Sequence, residues 1–339
     1  MKIAFLSLSY EKVSRGAETF IFEVSERLIK KGHKVEIISA KKDPAPRWPF
    51  FWRFYLDPFG IQVALFTLKN LAKIWREKYD IVIPTDGGWQ PAFIRLVTWL
   101  SGGKVVISGQ SGKGWDDRNN LWCFPNVFVA LSSSLKSWAR KVNPLVQSVK
   151  IPNGVDVLKF SPEGVKLRTN LPKPIILSVG ALVINKRLDL AIKAVAKLGG
   201  ASLLLIGKGP EEEKLRRLGE KLLPGRFEMM PFPYSKLPKV YRAADVFTYP
   251  TVPWESFGIV MVEAMASGLA VVATNDPIRK EVVGRAGVLV DPGDTTAYAV
   301  ALENALRLKW GKRPVNQAKK FDWDKIAEKY NNLFESLLK

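Results

Sequence analysis

The sequence predicts an α/β protein of two doubly wound domains, each a parallel sheet covered by helices on both faces. Three observations lead there. Apolar runs of strand length alternate with segments of helical periodicity along all 339 residues. The runs are continuously apolar, as strands of a parallel sheet are when both faces are covered. A Pro- and Gly-rich stretch without helical period, "SVKIPNGVDVLKFSPEGVKLRTNLPKPI" at 148–175, interrupts the series near its middle.

Taken in order, the first half has strands at "KIAFLSL", "KVEIIS", "DIVIP", "KVVIS" and "VFVALS". Between the first two, "GAETFIFEVSERLIKKG" sets Ala17, Phe20, Ile21, Val24 and Leu28 at three- and four-residue steps. That is one face of a helix, which Gly32 closes. The second half has strands at "PIILSVG", "SLLLIG", "RFEMM", "DVFTYP", "LAVVAT" and "AGVLV", most of them followed by a helical segment. The expected divisions are a first domain over 1–155, a second over 156–320, and a helix over 321–339 returning to the first. Ligands of open parallel sheets bind outside the carboxyl ends of the strands, so two facing sheets would enclose a cleft.

Composition narrows the class. A single cysteine, Cys123, excludes an internal disulfide and fits a reducing compartment. "MKIAFLSLSYEK" is too briefly apolar for a signal peptide and reads as a buried strand. No stretch offers the roughly 18 uninterrupted apolar residues of a membrane span, so a cytoplasmic protein, soluble or peripheral on the membrane, is expected. The formal charge is +20, with 24 Lys and Arg against 13 Asp and Glu in residues 1–160 and 28 against 19 in 161–339. A nucleic-acid reader more often concentrates charge in one arm or stripe, and none is expected as a partner. Even spread favours attraction to phosphorylated ligands and to an anionic membrane surface.

The segment "PWESFGIVMVEAMASG" at 253–268 places Glu255 and Glu263 among apolar residues, where an unpartnered carboxylate is costly. It reads as a helix opening at Ser256, or at the Glu255–Ser256 pair, and ending before Gly268. Phe257, Gly258 and Ile259 would then present N–H groups at the positive end of the helix dipole, a site suited to a diphosphate. Glu263 could accept from two adjacent hydroxyls, as a ribose offers. Alternatively Glu255 caps the helix and Glu263 pairs with a Lys or Arg, and these two motifs leave both readings open. A second segment, "SVGALVINKRLDLAI" at 178–192, favours the ligand reading. It sets Lys186 and Arg187 at a helix start, where cations oppose the dipole unless an anion lies between.

Four motifs, "VGALVINKRLDLAI", "LLLIGKGPEEEKL", "LPKVYRAADVFTYPTVPWESFGIVMVEAMASG" and "GVLVDPGD", resemble in order those of the retaining glycosyltransferases of family four. That family has the GT-B fold, two facing Rossmann-like domains, and the third motif carries its glutamate, seven residues, glutamate signature. "GAETFIFEVSERLIKKGHKVEII" and "IPNGVDVLKFSP" extend the resemblance over nearly the whole chain.

The resemblance implies an enzyme that moves a hexose from a nucleoside-diphosphate sugar to an acceptor hydroxyl with retention, in envelope glycolipid or polysaccharide synthesis. The acceptor would be a glycan, a lipid-linked molecule or a small molecule. Neither cofactor nor metal is implied. Glu263 would bind the ribose hydroxyls and Glu255 the donor sugar near the reacting carbon. Lys186 and Arg187 would neutralise the diphosphate in place of a metal. Ser256 with the N–H groups of Phe257, Gly258 and Ile259 would serve phosphate and sugar. Met230 would border the base, and Gly16 would approach the phosphate from the first domain.

This chain departs from the family at three places. Ala181 stands where an Arg often follows the "VG" turn. Arg15 replaces the first glycine of a Gly-Gly-Ala-Glu loop, and Ser108, Gly109 and Gln110 stand where many members have a histidine. Asp86, Gln110 and Ser111 are the remaining acceptor-side candidates, with a loop-structural role the alternative for each. The one histidine, His33, reads as a turn residue. "RWPFFWRFYLDPF", Arg47 to Phe59, groups seven aromatic residues with two arginines. It is either a segment dipping into an anionic membrane or an aromatic cluster against the core or a protein. Among competing functions, a nucleotide-sugar epimerase has only the fold behind it. A nicotinamide-dependent oxidoreductase lacks its G-x-G-x-x-G after the first strand. A non-catalytic polyanion binder would show steep salt dependence and no donor hydrolysis.

Overall fold

In a computed structural model of the chain, residues 1–12 and 16–339 are described. The altered loop residue Arg15 lies outside them. The chain divides into two compact units, residues 1–153 with 323–339 and residues 154–322.

Unit 1 runs β1 (Lys2–Ser7), α1 (Gly16–Lys30), β2 (Lys34–Ser39), α2 (Pro58–Glu77), β3 (Ile81–Pro84), α3 (Trp89–Ser101), β4 (Lys104–Ser108), α4 (Trp115–Trp122), β5 (Val127–Ala130), α5 (Ser133–Val142) and β6 (Ser148–Lys150). Unit 2 continues with β7 (Ile175–Val179), α6 (Leu188–Ala196), β8 (Ser202–Ile206), α7 (Glu212–Leu222), β9 (Phe227–Met230), α8 (Leu237–Tyr241), β10 (Val246–Tyr249), α9 (Ile259–Ala266), β11 (Ala270–Thr274), α10 (Pro277–Val283), β12 (Gly287–Val290), α11 (Thr295–Arg307) and α12 (Arg313–Ala318). The chain then returns to unit 1 with α13 (Trp323–Leu338).

Each unit has a six-stranded, wholly parallel sheet, in order β2-β1-β3-β4-β5-β6 and β12-β11-β10-β7-β8-β9. The continuous apolar runs are the reason: Leu203, Leu205, Ile176 and Val272 are sealed from solvent. Each such side chain contributes about 1.5–3 kcal/mol on burial. Helix starts follow local chemistry. Asp57 caps α2 through the Gly60 N–H with Pro58 at the first position, and Asp276 caps α10 through the N–H groups of Ile278 and Arg279. α13 lies on α1, where the Tyr330 ring meets Phe20 at 5.4 Å and its hydroxyl meets Ser108 Oγ at 3.0 Å. One strand was not expected. β6 is three residues at the start of the Pro- and Gly-rich stretch, and it extends the first sheet at its edge.

Candidate active site

In unit 2 the strand sequence reverses direction between β7 and β10, which are neighbours in the sheet. Helices leave a doubly wound sheet in opposite senses at such a point and open a crevice beyond the strand ends. The loops that follow β7 and β10 meet there: Val252 N–H and Thr251 Oγ1 both donate to the Asn185 carbonyl, each at 3.0 Å. Lys186 Nζ lies 3.0 Å from Glu255 Oε2 and donates to Tyr249 Oη at 3.0 Å. Burial would lower the ammonium pKa, but Tyr249 and Glu255 raise it further, so Lys186 stays charged. Burial pushes the Tyr249 hydroxyl up. Arg187 caps α6 in the left-handed region, φ 50°. Its guanidinium lies beside Gly293 and finds no hydrogen-bonding or ion-pair partner among the described residues. Lys186 and Arg187 thus stand at a helix start as the sequence suggested.

The helix expected to open at Glu255–Ser256 begins later and carries only Glu263. It opens at Ile259, capped by Gly258 at φ 79°, not at Ser256. A Cβ on Gly258 would come within 2.9 Å of Met261 Cε and 3.0 Å of Tyr249 Cε1, so the turn requires glycine. Glu255 is therefore not a cap: its carboxylate faces Lys186 and accepts from Thr251 Oγ1 at 3.3 Å. The N–H groups of Gly258 and Ile259 meet no backbone carbonyl among the described residues. Phe257 turns its ring inward against Phe321 at 5.5 Å, and buried Ser256 Oγ finds no partner among the described residues.

Glu263 is 1% exposed, and its Oε2 accepts from Tyr241 Oη at 2.7 Å. Burial, and then Glu263 itself, pushes the Tyr241 hydroxyl well up and keeps it a donor. The structure thus adds a tyrosine hydroxyl to the partners that the sequence suggested for this carboxylate.

Besides Tyr241, two groups escaped the sequence reading. One is Tyr249, which lies beneath Lys186. The other is Arg279 on α10, fully buried. Its Nη1 donates to the Glu255 and Ser256 carbonyls at 2.8 and 3.2 Å, and its Nη2 to the Val252 carbonyl at 3.0 Å. Asp276 Oδ2 lies 3.2 Å from its Nε. One guanidinium thus holds the loop that carries Glu255. A signal existed: with Ile278, Val282 and Val283 buried, the short period of "PIRKEVV" points Arg279 inward too.

Met230 ends β9, two strands from β7, and is half-buried. In unit 1, Gly16 opens α1 and is exposed. Asp86 accepts from the Leu8 N–H at 2.8 Å and Gln90 Nε2 at 3.1 Å, and burial pushes its carboxyl up to about 6. Gln110 donates to Ser108 Oγ and exchanges hydrogen bonds with Asn153, and the Ser111 N–H donates to Asp117 Oδ2 at 3.2 Å. His33 contacts Asn331 of α13. The aromatic segment splits. Tyr55 is buried and Phe59 lies under Arg47 at 4.6 Å, whereas Trp48, Phe50, Phe51 and Phe54 are exposed. No cluster of three or more His, Cys, Asp or Glu able to hold a metal occurs among the described residues.

Residues 159–322 match the family model described as "Glycosyl transferases group 1", and residues 14–158 that described as "Glycosyltransferase Family 4". The phosphatidyl-myo-inositol mannosyltransferase of Mycolicibacterium smegmatis is 30% identical over 224 residues, 62% of this chain and 57% of that protein. The chain spans about half the length of such curated relatives. Among solved structures, sucrose-phosphate synthase from Thermosynechococcus elongatus superposes with a TM-score of 0.80 at 20% identity, covering 99% of this chain and 98% of that one. Anabaena HepE, solved in complex with UDP-glucose, gives 0.75 at 19% identity, covering 99% and 100%. These likenesses establish the GT-B fold.

Proposed function

Because the chain belongs to the family-four glycosyltransferases of GT-B fold, its two halves each matching a model of that kind, we propose that it transfers a sugar from a nucleoside-diphosphate donor to an acceptor hydroxyl with retention of configuration. The observation that carries the reading is Lys186, held charged between Glu255 and Tyr249 beyond the ends of the paired β7 and β10. A cation fixed at a switch point, with Arg187 and the amide hydrogens opening α9 without hydrogen-bonding partners among the described residues, suits a leaving group that gains negative charge as its bond to the sugar breaks.

In this reading Lys186, Arg187 and the N–H groups of Phe257, Gly258 and Ile259 hold the diphosphate, and Ser256 Oγ adds a hydrogen bond. Glu255 receives hydroxyls of the donor sugar, Glu263 those of the ribose, and Met230 borders the base. The acceptor oxygen bonds to the anomeric carbon as the carbon–phosphate oxygen bond breaks, and the departing diphosphate takes the hydroxyl proton. No protein base is needed for that route. The acceptor hydroxyl belongs to a glycan, a lipid-linked molecule or a small molecule.

Thermal melting with a panel of nucleoside diphosphates and their sugars tests the reading. A ligand at a hundred times its Kd adds about 2.7 kcal/mol to stability, so the donor identifies itself as the compound that raises the midpoint. Glu263→Ala should lose the shift, whereas Glu255→Ala should keep it and lose turnover. A panel that leaves the midpoint unmoved at millimolar concentration defeats the proposal.

A further inference from the structure

α2 and α3 lie side by side in unit 1. Each buries one face and leaves another in water. On α2 the outward positions are Ile61, Leu65, Leu68 and Trp75, spaced by four, three and seven residues, and all are exposed. Such spacing is one stripe of a helix, of the kind that ordinarily faces a core. α3 does the same with Leu96, Trp99 and Leu100, Trp99 at 70% exposure. The exposed Phe51, Phe54 and Leu56 lead directly into α2. Scattered exposed apolar residues need no explanation, but two neighbouring helices striped in this way do.

Charge identifies the occupant. α3 has no acidic residue, and α2 has only Glu77 at its last position, paired with Lys2. The exposed cations Lys69, Arg76 and Lys78 stand on or beside the α2 stripe without an ion-pair partner among the described residues. An apolar stripe with tryptophans, edged by more cations than acids, matches a headgroup region whose outer charge is negative and whose interior is hydrocarbon. No helix among the described residues is long and apolar enough to cross a membrane, so contact of this kind would be lateral.

We propose that the α2–α3 face of unit 1, continued by Phe51, Phe54 and Leu56, docks this protein onto an anionic bilayer surface. The inference is independent of the sugar-transfer reading, because none of these residues belongs to the unit 2 site. Flotation of the full chain with vesicles of phosphatidylcholine, with and without phosphatidylglycerol, tests it. The wild-type protein should float with the phosphatidylglycerol vesicles and less with neutral ones. Leu65→Ser combined with Leu68→Ser and Trp99→Ser should lower the floating fraction about tenfold while leaving the melting midpoint and nucleotide-induced shift as in the wild type. Flotation that the triple variant retains would overturn the assignment, and so would equal flotation with neutral vesicles. Failure of the wild type to float, together with a concentration-dependent dimer that the variant abolishes, would assign the face to a second copy instead.

Discussion

The two sheets share one winding and use their switch points in opposite ways. In unit 1 the strand sequence reverses between β1 and β3, and in unit 2 between β7 and β10. Beyond the β1–β3 pair, the Asp86 carboxylate accepts from two groups of its own unit, the Leu8 N–H and Gln90 Nε2. Gln110 and Asn153 close on each other nearby in sequence to β4 and β6. Beyond the β7–β10 pair stand Lys186, Arg187 and Glu255, two of them paired and one guanidinium without an ion-pair partner among the described residues. Doubly wound topology therefore provides the location twice, and loop residues decide whether it is knitted shut with hydrogen bonds or stocked with charge.

The sharpest way to break that contrast is to unlatch the charged loop. Arg279→Met removes the donor to three carbonyls and the cation beside Asp276, all of them in a dry setting. The expected loss is about 3–5 kcal/mol in urea unfolding. A loss below about 1 kcal/mol would mean that water replaces the guanidinium easily, which its burial argues against. Next in size, Lys186→Met should lower kcat/KM for sugar transfer by roughly a hundred- to a thousandfold, measured as nucleoside diphosphate released. Asp86→Asn in the knitted switch point should change it little. Equal effects at the two positions would erase the distinction between the units.

A smaller effect is expected at Tyr241→Phe. Glu263 loses its recorded hydroxyl donor inside the core, which should cost about 1–3 kcal/mol by chemical denaturation. The smallest concerns unit 1. Burial pushes Asp117 up to about 7, opposed by the hydrogen bond from Asn120 and assisted by Asp116. Because that lies above the unfolded value near about 3.9, the native state keeps a proton that the unfolded chain releases. Stability from this group is therefore full below about pH 4, declines as pH rises, and levels off above about 7. Asp117→Asn should flatten the dependence, shrinking the difference in melting midpoint between pH 5 and pH 8 by a few degrees.

Much of this was legible in the sequence for a physical reason. Strands covered on both faces must be apolar throughout, so "SLLLIG" and "LAVVAT" announce themselves without tertiary information. Lys186 and Arg187 were visible because cations at a helix start contradict the dipole. The start of α9 was misplaced because Glu255–Ser256 resembles a capping pair, and local propensity cannot register that Arg279 already holds the carbonyls of residues 252, 255 and 256. Tyr241 and Tyr249 were passed over because an aromatic residue at the end of a strand or in a short helix reads as core. Their hydroxyls acquire meaning only once Glu263 and Lys186 are in place. The apolar face of α2 and α3 was also hidden. A stripe of helical period predicts burial, and only coordinates reveal that these helices carry a second one.

Unit 1 includes α13, yet residues 323–339 are translated only after all of unit 2. During synthesis, Phe20 and Ser108 emerge long before Tyr330 can cover them. The earlier-made unit must therefore wait, with α1 uncovered, while the later one is able to collapse on its own. A stop codon at position 323 would accordingly harm the fold of the amino-terminal unit more than that of the unit it follows.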